Sequence, residues 1–140
     1  MKTEAYFRIL FLTAVICALL IGVESCRAAN MDDLLNAIEQ IESGGNSNAV
    51  GDNGKAVGAY QIWPIMVKEV NRILGKDRYC LKDRLDRNKS REMCRIFLMN
   101  CKKGLSLPDL GRCWNGSYDG YKKESTKKYG EKIRKILGKD

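Results

Sequence analysis

A chain of 140 residues that contains no histidine cannot form a Ser-His-Asp triad, a Cys-His pair or a His-ligated metal centre. The glycine-rich residues 51–58 precede no strand-to-helix step, so they are not a phosphate cradle either. Acid-base work is left to carboxylates. Two of them stand in the most informative stretch, residues 41–62, which reads IESGGNSNAVGDNGKAVGAYQI. Glycosidic bonds are broken by one acid that protonates the leaving oxygen, often with a second carboxylate that supports the oxocarbenium-like centre, activates water or attacks. Glu42 is the candidate acid and Asp52 the candidate partner. A turn-forming role alone also accounts for Asp52, as the first residue of Asp52-Asn53-Gly54.

Positioning falls to the elements around that stretch. Leu34, Leu35, Ile38 and Ile41 recur at helical spacing and give one apolar helix face, with Glu42 beside it. Ser43, Gly44 and Gly45 then close the helix, which leaves Glu42 on the last turn, at the negative end of the macrodipole. Apolar flank and dipole both favour the neutral acid. Asn48 to Val50, the Asp-Asn-Gly turn, Ala56-Val57 and then Ala59 to Ile62 read as a small hairpin facing that helix end.

The remaining chain reads as helices. Asn30 caps a first helix over 31–42, with Asp32 and Asp33 in its first turn. Pro64 starts a second that runs to a stop at Gly75. Residues 76–88 are a polar loop or short helix. The most periodic segment, 89–103, is expected to be a buried central helix, with Met93, Ile96, Phe97 and Met99 on its apolar side. Ser106 and Asp109 cap a short helix through Cys113, residues 115–120 form a loop, and 121–137 is the final helix. Five to six helices with one small hairpin make the fold class mostly α (α+β).

Residues 1–25 have a charged start, a short apolar run and a small residue at Ser25, the pattern of a cleaved export signal, which leaves residues 26–140 as a single domain. In an oxidising compartment Cys80, Cys94, Cys101 and Cys113 are expected to form two disulfides. Cys94 and Cys101, seven residues apart on the 89–103 helix, lie about 10 Å from each other, beyond the ~7 Å limit for a bridge. Two connectivities stay open: Cys80 with Cys94 and Cys101 with Cys113, or Cys80 with Cys101 and Cys94 with Cys113. Cys26 would follow the cut, where a bacterial lipoprotein carries its acylated cysteine. The spacings do not suit zinc, and no metal or cofactor is expected. The net charge of +8 suits an anionic bacterial surface. A secreted monomer, extracellular or periplasmic, with no nucleic-acid partner is the expectation.

Glu42-Ser43-Gly44-Gly45-Asn46, then Asn48-Ala49-Val50, then Gly58-Ala59-Tyr60-Gln61-Ile62 resemble the signature of the lysozyme-like superfamily in its soluble lytic transglycosylase and goose-type branches. Trp114-Asn115-Gly116 and Gly120-Tyr121, followed by Thr126 and Tyr129, are similar to the closing motif of invertebrate-type lysozymes, an Asn-Gly-Gly-Pro segment before a final helix. Here that segment is Asn115-Gly116-Ser117-Tyr118, without the proline. The resemblance implies a lysozyme-like fold, peptidoglycan glycan strands as substrate, and Tyr60, Gln61, Asn115 and Tyr121 as sugar-binding residues. It also implies two possible outcomes. Invertebrate-type lysozymes carry an aspartate near the position of Asp52 and hydrolyse; lytic transglycosylases lack it and let the sugar's own hydroxyl attack. A different class, a cationic antimicrobial or a glycan-binding module without catalysis, would not need Glu42.

Overall fold

The computed structural model describes residues 29–138; the expected export signal, Cys17 and Cys26 lie outside them. Helix α1, Met31–Ser43, starts at a reciprocal cap: the Asn30 side chain accepts from the backbone N–H groups of Asp32 and Asp33, and Asp33 accepts from the Asn30 N–H. Such a cap contributes about 1 kcal/mol. The helix ends at Gly44, left-handed at φ 64. Leu34, Leu35 and Ile38 are fully buried on one face, as their spacing requires.

Strands β1, Val50–Gly51, and β2, Ala56–Val57, pair antiparallel with Val50 opposite Val57 and Gly51 opposite Ala56. The turn Asp52–Gly54 joins them as a short 3-10 segment. Helix α2, Pro64–Leu74, opens on its proline and stops at left-handed Gly75. A 3-10 turn, Leu81–Leu85, precedes α3, Arg87–Met99, which is capped by the Asp86 carboxylate on the N–H groups of Asn88 and Lys89. Helix α4, Leu107–Gly116, follows a Ser106 cap, and two 3-10 turns, Gly120–Lys122 and Glu124–Thr126, lead into α5, Lys127–Leu137. Helix α1 packs against α3, α4 and α5. Met93 and Phe97 of α3 and Ile133 of α5 are buried in the same core as its apolar face.

Three boundaries differ from the sequence reading. Helix α3 ends at Met99 rather than 103, so Cys101 lies beyond it. Asn115 belongs to α4 instead of a loop. The final helix starts six residues late, because the Thr126 hydroxyl donates to the carbonyl of Gly120 at 2.6 Å and folds the approach into tight turns.

The cysteines depart further. Cys80, Cys94, Cys101 and Cys113 are free thiols, so neither expected pair of bridges is present. Cys80 is exposed, its N–H held by the Asp83 carboxylate at 2.8 Å, whereas Cys94 is buried in the core. Cys101 and Cys113 do meet: burial, and then the neighbouring Cys113 thiol, push the Cys101 thiol up to about 12. The argument against a Cys94–Cys101 pair loses its premise, since the two do not share a helix.

Candidate active site

The end of α1, the hairpin turn, the start of α2 and the end of α4 enclose a cleft of about 520 Å³. Glu42 and Asp52 both line it. Ser43 fixes the helix end, with its hydroxyl donating to the Ala59 carbonyl at 2.7 Å and accepting from the Gly45 N–H at 3.1 Å. Glu42 accepts a hydrogen bond from the Tyr129 hydroxyl at 2.7 Å. Burial holds the Glu42 carboxyl above the usual carboxylate range, and the Asp52 charge pushes the same way; Tyr129, Lys132 and Trp114 act against them. Glu42 therefore keeps its proton to higher pH than an ordinary carboxyl does, which suits a proton donor.

Asp52 sits at the hairpin tip with φ 47, followed by Asn53 at φ 56. These are left-handed positions that Asp and Asn tolerate better than other residues with a Cβ. Its carboxylate accepts from the Trp63 indole N–H at 3.1 Å. Trp63 is 40% exposed on the cleft wall. Its place immediately before α2 holds the ring at the surface. Trp114 both lines the cleft and belongs to the core, its ring edge-on to Phe97 at 5.9 Å.

Of the four residues assigned to sugar binding, Gln61 and Asn115 line the cleft and Tyr60 and Tyr121 do not. Tyr60 is 0% exposed. Its hydroxyl accepts from Arg91 at 3.0 Å and donates to Glu39 at 3.4 Å, so it faces the interior behind the cleft. Tyr121 is half-buried, packed on the core, with the Lys102 and Lys122 ammonium groups 5.7 and 5.3 Å from its ring centre. Gln61 spends its amide N–H groups on the carbonyls of Gly58 and Ala49, at 3.0 and 3.3 Å, so it mainly ties the hairpin together.

Several residues that shape the site carried no signal of their own. Glu39, one turn before Glu42, is 4% exposed and paired with Arg87 from the start of α3. It looks like a surface glutamate in sequence, because its partner lies 48 positions away. Glu69 lines the cleft and is held down at about 2, first by Arg72 and then by the Tyr118 hydroxyl. It stays ionised and is no second proton donor. Tyr129 belonged to a recognisable motif, but its contact with Glu42 was not readable.

Ser117 shows what replaces the glycine of the closing motif. Its backbone is at φ 67, ψ −174, a region populated almost entirely by glycine. Ser117→Gly is therefore expected to raise the unfolding free energy by roughly 1 kcal/mol, the relieved strain exceeding the added freedom of the unfolded chain. A urea midpoint that rises with unchanged slope is the expected reading; a fall would show that the serine is not strained.

The arrangement suits glycosidic cleavage: a carboxyl that holds its proton more tightly than usual, a second carboxyl in the same cleft and aromatic surface beside both. Comparison with curated proteins and with solved structures finds no match. The model of the family described as transglycosylase SLT domain matches residues 20–99, which span α1, the hairpin, α2 and α3 and make up more than half of the chain. Helix-end glutamate, hairpin and cleft thus coincide with that match, and the chain belongs to the transglycosylase SLT domain family of the lysozyme-like superfamily.

Proposed function

We propose that this protein hydrolyses the β-1,4 bond between MurNAc and GlcNAc in peptidoglycan strands, with Glu42 as general acid and Asp52 as the second carboxylate. The observation that carries this is the shared cleft of Glu42 and Asp52. A protonated Glu42 gives its proton to the leaving oxygen, the bond to the anomeric carbon breaks, and the Asp52 charge supports the positive centre or the incoming nucleophile. Trp63 and Trp114 offer apolar faces for sugar rings, and Asn115 an amide on the lip. Such an enzyme acts outside the cytoplasm, in keeping with the export signal expected over residues 1–25.

The second reading is lytic transglycosylation, favoured by the family match itself. Glu42 would then serve as acid and afterwards as base, and the sugar's own primary hydroxyl would close on the anomeric carbon. Mass spectrometry of the released fragments separates the two, because the anhydro product lacks the elements of one water. Reducing ends are expected as the main product, and Asp52→Asn is expected to slow their release by roughly 10²-fold. Anhydro ends as the main product, with Asp52→Asn fully active, would replace hydrolysis by the second reading.

A further inference from the structure

We propose that Trp63 positions Asp52 and thereby decides whether a cleaved strand ends in a reducing sugar or an anhydro sugar. This rests on the reading of Glu42 and Asp52 given above. Asp52 is exposed, at the tip of a two-residue-per-strand hairpin, and its backbone is left-handed together with that of Asn53. The hairpin alone gives a weak hold on the direction of the carboxylate. Among the described residues, the hydrogen bond that its oxygens accept comes from the Trp63 indole at 3.1 Å.

Trp63 is anchored where Asp52 is not. Its carbonyl accepts from the Met66 N–H at 2.9 Å in the first turn of α2, and Pro64 fixes the backbone that follows. The Lys55 ammonium group sits 5.4 Å from the centre of its ring. The indole therefore ties the carboxylate of a short turn to the start of a helix. The same ring lines the cleft, so a sugar stacked on it would lie beside the carboxylate that the ring holds.

The chemical consequence follows from competition for one centre. After the Glu42 proton has gone to the leaving oxygen and the bond has broken, two oxygens can reach the anomeric carbon. If water adds, a carboxylate takes its proton and a reducing end forms. If the sugar's primary hydroxyl adds, its proton returns to Glu42, no water is consumed and the anhydro end forms. An Asp52 fixed in the cleft favours water, by orienting it or receiving its proton; an Asp52 free to turn outward does not.

The test uses the full chain and purified peptidoglycan strands, with fragment ends counted by mass spectrometry. Trp63→Phe keeps an aromatic ring, smaller than the indole, and removes the N–H. It is expected to raise the ratio of anhydro to reducing ends roughly tenfold, the equivalent of one hydrogen bond to a charged group. The alkaline limb of its pH–rate profile should move to lower pH, since the Asp52 charge no longer raises Glu42. Neither change should appear when Trp63→Phe is added to Asp52→Asn, because the two act through one group. Trp63→Phe with the product ratio and limb of the parent protein, beside an Asp52→Asn that shifts both, overturns the role of Trp63 alone. An Asp52→Asn without effect on either removes the Asp52 reading and this inference together. Should Trp63→Phe not fold, the Trp63 indole proton resonance of the parent protein should follow Asp52 ionisation and shift in Asp52→Asn. A resonance indifferent to both overturns the proposal.

Discussion

Glu42→Gln is expected to leave a folded protein that no longer clears a peptidoglycan suspension, with turnover down by roughly 10³-fold. Gln keeps the size and the neutral polarity of the protonated acid but has no proton to give. The same substitution is expected to stabilise the fold. Because the folded carboxyl titrates above its unfolded value, the contribution of Glu42 to stability is complete below the unfolded pKa, about 4.3, and is lost as pH rises through the folded pKa. Gln never ionises and escapes that loss. Urea unfolding of both proteins should therefore converge at acid pH and diverge in favour of Glu42→Gln toward neutrality. Clearing that survives the substitution would end the enzymatic reading and favour a cationic or glycan-holding role. Lost clearing together with lost stability at neutral pH would mean that the glutamate serves the fold.

Gly58→Ala should be the most damaging single methyl group in the chain. Gly58 has φ 84, and a Cβ there would lie 1.8 Å from the carbonyl oxygen of Arg84. That oxygen is backbone, and its neighbourhood is pinned: it accepts from the Ser90 hydroxyl at 2.7 Å, and the Arg84 guanidinium donates to the carbonyls of Ile62 and Lys55. Neither partner can step aside cheaply, so a cost of roughly 4 kcal/mol or failure to accumulate as folded protein is expected. Gly54→Ala is the control. Gly54 has nearly the same φ, 85, with nothing within 4 Å of its would-be Cβ, and should cost only about 1 kcal/mol. Equal urea midpoints for the two variants would show that conformation, and not the close approach of hairpin and 81–85 turn, governs Gly58.

What could be read from the residues was local. The start of α1 at Asn30, its stop at Gly44 and the proline and glycine that bound α2 are decided within a few residues by capping and left-handed geometry. The hairpin and the helix-end glutamate were legible for the same reason, and both belong to the cleft. The errors arose where a partner distant in sequence decides the outcome. Tyr60 lies in the interior because Glu39 and Arg91 claim its hydroxyl. Helix α3 ends at Met99 before the cap residue Asn100, whose flanks are as compatible with helix as the residues before them.

The hydroxyl that steadies Glu42 arrives 87 residues after it, on α5, together with Lys132. A ribosome therefore makes this carboxylate long before it makes the helix that holds it. Until the last helix is synthesised and docked, Glu42 lacks the Tyr129 hydroxyl that holds its carboxyl in place. On the proposed chemistry competence then arrives with the final helix, and a product clipped before α5 would be inert.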